Sequence, residues 1–363
     1  MQTFECQNCG QLLYFENSHC ERCGHTLGFL ERTARLETLV PVGGNVWSPL
    51  GAPRASERYR FCANANVQVC NWLVDADGNA NLCRACSLNQ IIPDLRVFGN
   101  QDRWRKLESA KHRLVYSLLK LKLPLYSKAE DAWRGLAFEF LGDPNPRFRE
   151  GPAVMTGHLN GIVTLNIAEA DDAERERQRA TMAEPYRTLL GHFRHEVGHY
   201  YWAQLVAPSQ WVQPFRDLFG DERTDYEQAL DTYYAGAAGP WQTQYVSAYA
   251  SSHPWEDWAE TWAHYLHIVD VLETAYAYGI SIRPRAGRSA DLTTRADFDA
   301  YRMSDFDALV QAWLPLTYAM NSINRSMGQP DLYPFVLASP VLDKLRFVHN
   351  VIRQSRSSKE AAV

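Results

Sequence analysis

Two histidines stand four residues apart in GHFRHEVGHYYW, with a glutamate directly after the first: His195, Glu196 and His199. On a helix, His195 and His199 share one face a turn apart, so their imidazoles can bind one ion. Glu196, one step from the first ligand, can reach a water beside that ion and act as its general base. This is the spacing of a zinc-dependent hydrolase, and equally that of a buried helix carrying satisfied polar groups. A third ligand from elsewhere in the chain decides between the two. Candidates occur in SSHPWEDWAETWAHYLH, where Glu256 and Glu260 are four apart and His253, Asp257 and His264 lie among them. The same segment carries Trp255, Trp258, Trp262 and Leu266 on a packing side, which a solvated surface helix does not need.

All eight cysteines lie between Cys6 and Cys86. Cys6, Cys9, Cys20 and Cys23 form two CxxC turns, each aiming two sulfurs at one centre, with Gly10 and Gly24 directly behind them. A stretch this short cannot build a core, so bound metal must supply its folding energy. Cys62, Cys70, Cys83 and Cys86 make a looser second set; only its last pair is a CxxC, and seven residues separate the first pair. Both sets are expected to be closed structural zinc sites, the competing readings being redox pairs and buried apolar thiols. Cysteines gathered this way suit metal binding in a reducing compartment, and a cytoplasmic location is expected.

Several elements must position these groups. A helix is expected from Pro185 to Val206, with Leu189, Phe193, Val197, Tyr201 and Leu205 as its apolar stripe and Pro208 just past its end. Gly198 costs that helix about 1 kcal/mol relative to alanine, which a close backbone approach would explain. A second helix is expected over roughly 102–121, a strand over 135–141, a hairpin turning at Asn160-Gly161 and a solvated helix over 171–180. Residues 40–59, rich in Gly, Pro and Ser, read as a linker. Asp75 to Asn79 reads as a turn joining two short strands, Phe298 to Ile352 as packed helices, and the polar tail from Arg353 as disordered. The net charge of −5 argues against a nucleic-acid-binding surface, and no apolar run approaches the length of a membrane span. The start, MQTFECQNCG, lacks the charged and apolar regions of a secretory signal.

HEVGHYYW followed by PWEDWAETWAHYL, behind an N-terminal zinc ribbon, resembles the bacterial family described as putative zinc-binding metallopeptidases with a zinc-ribbon domain. A more distant similarity is to the lethal-factor-like gluzincins, in which a tyrosine precedes the ligand glutamate by seven residues, as Tyr249 precedes Glu256. The resemblance implies an α+β chain: a zinc ribbon over 1–30, a second four-cysteine β-rich module over 31–98, and a mainly helical zincin-like domain with a small sheet over 99–363. It implies that His195, His199 and Glu256 hold a catalytic Zn2+, that Glu196 is the base, that Tyr249 donates to the oxyanion and that Glu260 supports a ligand from behind. With the two cysteine sites, the expected cofactor is zinc, one catalytic and two structural. The expected partners are a peptide or protein substrate and, through the ribbon, a protein; neither nucleic acid nor membrane is expected. The alternatives are a SprT-like protease acting on nucleic-acid-bound proteins, with His253 or His264 as third ligand, and an inactive binding adaptor.

Overall fold

The computed structural model describes residues 2–52, 57–142, 154, 156–181, 187–237, 240–285, 287 and 289–360. The chain divides into two compact units: Met1–Tyr116 with Leu125–Arg175, and Ser117–Pro124 with Glu176–Val363.

The first unit holds most of the strands. β1 (Phe4–Glu5) and β2 (Leu12–Leu13) pair antiparallel around the first CxxC turn. An antiparallel sheet follows in sequence order: β3 (Thr26–Leu30), β4 (Arg35–Gly43), β5 (Val46–Pro49), β6 (Tyr59–Phe61) and β7 (Leu73–Asp75). The segment 40–59, expected as a linker, therefore contributes to β4 and carries β5 and the start of β6. Val40 and Ser48 pair across the β4–β5 hairpin, and Gly43 and Gly44 take the positive φ its tip requires. The glycines signal a hairpin tip here, and Pro41 sits where the register shifts. The turn after Asp75 is also corrected: no second hairpin strand follows it, and the next strand, β8 (Asn89–Ile91), belongs to another sheet.

That other sheet has the order β10-β11-β9-β8. Helix α1 (Asn100–Lys120) lies in sequence between β8 and the parallel β9 (Ala137–Leu141), because parallel neighbours need a long crossover. β10 (Gly157–Leu159) and β11 (Ile162–Asn166) form the expected hairpin, with Asn160 and Gly161 both at positive φ as a type I′ turn demands. In an aromatic core, Phe15 packs edge to face on Phe29 and Tyr116, and the tilted rings of Phe29 and Trp72 are 4.5 Å apart.

Helix α2 (Asp172–Thr181) bridges the division between the units, and the remaining helices make up the second: α3 (Leu189–Tyr201), α4 (Val212–Phe219), α5 (Tyr226–Thr232), α6 (Pro254–Ala277), α7 (Phe306–Ser326) and α8 (Ser339–Glu360). Thr188 caps α3, its hydroxyl accepting from the Gly191 amide at 3.0 Å; Pro185, expected at the helix start, lies outside the described residues. Past Tyr201 the helix widens into a π turn over Trp202–Val206. α6 is the centre of this unit, buried on nearly all sides by α3, α7 and α8. α3 approaches it closely at Gly198: a Cβ there would lie 2.9 Å from the Ala259 Cα, and Trp258 Nε1 donates to the Gly198 carbonyl at 2.8 Å. Lys344 of α8 meets the fully buried Asp257 of α6 at 2.6 Å and also donates to the Gln244 carbonyl. The tail expected as disordered instead continues α8 to Glu360. Val341, Leu345, Val348 and Ile352 bury one face of that helix, and its regular winding carries the polar residues with it. Among the described residues, no helix is long and apolar enough to cross a membrane.

Candidate metal centre

α3 and α6 bring His195, His199 and Glu256 together, each offering a donor atom within 4.8 Å of the others. The His195 ring lies between the two glutamates that α6 spaces one turn apart. Its Nδ1 is 2.8 Å from Glu260 Oε1, and its Nε2 is 2.9 Å from Glu256 Oε2. Glu256 Oε1 is 3.5 Å from His199 Nε2. Two ligands on a tetrahedral zinc are about 3.3 Å apart at the usual bond lengths. Glu256 Oε2 is buried and has no hydrogen-bond donor, although His195 Nε2 is near. Since Nδ1 donates to Glu260, the neutral ring turns the lone pair of Nε2 toward that oxygen. Lone pairs converging at this spacing fit a shared cation, and the donor set of two imidazoles and one carboxylate is one that zinc takes.

The surrounding groups fix this arrangement. Ser247 Oγ donates to Glu260 Oε2 at 2.7 Å, so both oxygens of that carboxylate are engaged. Burial opposes ionisation of Glu260, but the hydrogen bonds it accepts, that from His195 foremost, outweigh burial and hold its pKa at about 2. Glu196 is buried on the same helix, and burial raises its carboxyl above the usual range. The ring of Tyr249 lies 5.9 Å from that of His195; burial and then the Glu256 charge push its phenol pKa far up, so it stays a donor.

The histidines considered as rival ligands are engaged elsewhere. His253 caps α6, accepting from the Trp255 amide through Nδ1 at 3.1 Å, while its Nε2 donates to the Thr224 carbonyl at 3.0 Å. His264 is buried, with Nδ1 2.6 Å from the Tyr333 hydroxyl. Ser247 escaped the sequence reading, and so did Tyr226, whose hydroxyl donates to Glu256 Oε1 at 2.8 Å with Tyr249 beside it. The only sequence signal for Tyr226 is the Asp225 cap that opens α5, accepting from the Gln228 amide at 2.9 Å. Beside this region, a cavity of about 510 Å³ is lined by Thr224, Tyr233, Trp241, Tyr245 and Ser252 among others.

The eight cysteines are unbridged and gather into two sets of four. Cys6 and Cys23 sulfurs are 3.6 Å apart, Cys9 and Cys20 3.6 Å, and Cys70 and Cys83 3.7 Å. The sulfur–sulfur edge of a tetrathiolate zinc is about 3.8 Å. Gly10 and Gly24 take positive φ and donate their amides to the Cys6 and Cys20 carbonyls, closing the two knuckles. Both sets therefore fit zinc by donor type and spacing.

A family model described as "Putative zinc-binding metallo-peptidase" matches residues 100–351, and one described as "zinc-ribbon domain" matches residues 3–97. An uncharacterized protein of Mycobacterium bovis is 43% identical over 367 residues, covering 100% of this chain and 98% of its own length. Uncharacterized proteins of two Mycobacterium tuberculosis strains match to the same extent. No solved structure matches the chain.

Proposed function

This chain belongs to the family described as putative zinc-binding metallo-peptidases, and on that premise we propose that it hydrolyses peptide bonds at the centre built by α3 and α6. His195, His199 and Glu256 would hold zinc there, and the two cysteine sets would each hold a structural ion. Bound at that centre, zinc supplies a Lewis acid that polarises the scissile carbonyl and makes water a nucleophile near neutral pH. Glu196 is the base that takes a proton from the attacking water and returns it to the leaving amine. Its raised pKa brings it nearer the pH at which both transfers are favourable. Tyr249, kept protonated by burial, donates to the oxygen that becomes negative in the transition state. Glu260 holds His195 in one tautomer, and Tyr226 holds Glu256. The substrate is a peptide or an unfolded protein segment.

The observation that carries this reading is the Glu256 oxygen buried without a donor, 2.9 Å from a histidine nitrogen whose other side is already bonded. The test is zinc content and cleavage of an unfolded protein such as casein by the whole chain and by Glu196→Gln. The expected result is three zinc ions in both proteins and a loss of cleavage of roughly 10²–10⁴-fold in the variant. A variant that keeps its activity, or that loses one ion, overturns the assignment of Glu196.

A further inference from the structure

The second cysteine set has more donors around it than a closed four-ligand site needs. His112, on the buried face of α1, aims Nε2 at three of its sulfurs. The distances are 3.3 Å to Cys70, 3.8 Å to Cys86 and 4.0 Å to Cys83. Nitrogen and sulfur on one tetrahedral zinc stand about 3.6 Å apart at the usual bond lengths. The other ring nitrogen, Nδ1, is 2.6 Å from the Glu108 carbonyl oxygen. A carbonyl can only accept, so Nδ1 carries the hydrogen and the neutral ring presents a lone pair at Nε2. The ring is held in place edge-on to Trp72, with centroids 5.2 Å apart. Glu108, whose carbonyl fixes the tautomer, is itself fixed by the buried Lys111 at 2.7 Å and by Trp104 Nε1 at 3.1 Å. Every feature that orients a histidine as a metal ligand is present.

Cys70, Cys83 and Cys86 thus have two further donors close by. One is Cys62, whose sulfur accepts the Cys83 amide at 3.4 Å. The other is His112. Cys62 is also the member whose seven-residue separation from Cys70 departs from a knuckle. We propose that His112 is a ligand of this second site, so that the ion is held by Cys70, Cys83 and Cys86 with either Cys62 or His112 as the fourth donor. This rests on the reading of the cysteine set as a zinc site. Exchange breaks the bond from Cys62 Sγ, forms one from His112 Nε2, and leaves the released sulfur to take a proton from water. The exchange also lowers the net charge of the buried centre from −2 to about −1, which a site this deeply buried favours.

The test counts ions in the full chain carrying His195→Ala, which removes the catalytic site and leaves the two cysteine sites. The background is expected to hold two zinc ions. Cys62→Ser in that background is expected to keep two, whereas Cys70→Ser and Cys83→Ser drop to one. Adding His112→Ala to Cys62→Ser is expected to lower affinity at the second site by more than the roughly 10–100-fold that an orienting neighbour is worth. With Co2+ in place of zinc, Cys62→Ser is expected to shift the visible bands to shorter wavelength, as replacing a thiolate by an imidazole does. If Cys62→Ser loses the ion as Cys70→Ser does, or if the double variant binds as tightly as Cys62→Ser, His112 is no ligand. A background that holds one ion instead of two defeats the zinc reading of the set itself, and the proposal with it.

Discussion

The Tyr226 hydroxyl donates to Glu256 Oε1 at 2.8 Å, and that oxygen is also the one 3.5 Å from His199 Nε2. A hydrogen bond to a ligand carboxylate fixes which lone pairs remain for the ion. Tyr226→Phe keeps the ring, which packs on His253 at 5.1 Å, and removes only the donor. It is expected to weaken zinc binding by roughly 10–100-fold. Competition with a chelator measures this, and an unchanged affinity would show that Tyr226 merely packs there.

The same competition separates the candidates for third ligand. Glu256→Ala is expected to release the ion and Glu260→Ala to weaken it by about 10–100-fold. His253→Ala and His264→Ala are expected to retain it. His253→Ala should instead cost about 1 kcal/mol of stability, because it uncaps α6. Retention of wild-type affinity by Glu256→Ala would remove it from the ligand set.

Gly198→Ala tests the helix contact that sets the distance between the histidines and Glu256. The added methyl would lie 2.9 Å from the Ala259 backbone and 3.3 Å from Trp262 Cβ. Overpacking of this kind costs about 1–3 kcal/mol. Denaturant unfolding should show that loss, with weaker zinc binding alongside it. A variant as stable as the parent would mean that the two helices separate freely.

Burial lowers the pKa of His264 from 6.5 to about 4, against a smaller opposing pull from Glu260. The folded state therefore resists a proton that the unfolded chain accepts. The stability this group confers is full above about pH 6.5 and falls as the pH drops towards 4, by on the order of 3 kcal/mol if the whole shift is realised. Unfolding free energies of the chain between those values should show the slope, and His264→Phe should flatten it. An identical slope in the variant would locate the proton uptake elsewhere.

The elements easiest to read were those whose signal is local. Asn160-Gly161 demands positive φ at both positions, and only one kind of turn supplies that. The three-and-four spacing from Trp104 to Leu121 gave α1, observed over Asn100–Lys120. On α3 the buried Phe193, Val197 and Tyr201 follow the expected stripe, and Gly198 meets the close backbone neighbour its position suggested. Signals that depend on a partner distant in sequence were misread or missed. Gly43 and Gly44 look the same in a linker and at a hairpin tip, and only pairing of β4 with β5 distinguishes them. Arg353 to Glu360 is polar enough to read as a tail, and its helix is continued from an apolar face further back. Tyr226 and His112 carry no motif, because each acquires its place through a contact dozens of residues away.

Lys344 and Asp257 give the order of synthesis a physical meaning. Burial lifts the Asp257 carboxyl to about 7 even with the Lys344 charge pulling it down. A ribosome releases α6 well before α8, and the chain grows at about 5–20 residues per second. For several seconds, then, α6 exists without the ammonium that neutralises its carboxylate next to Glu256. During that interval Asp257 stays in water or holds a proton, since an unpaired buried carboxylate is costly. The Lys344–Asp257 contact beside Glu256 is therefore one that synthesis can supply only after nearly the whole chain has been made.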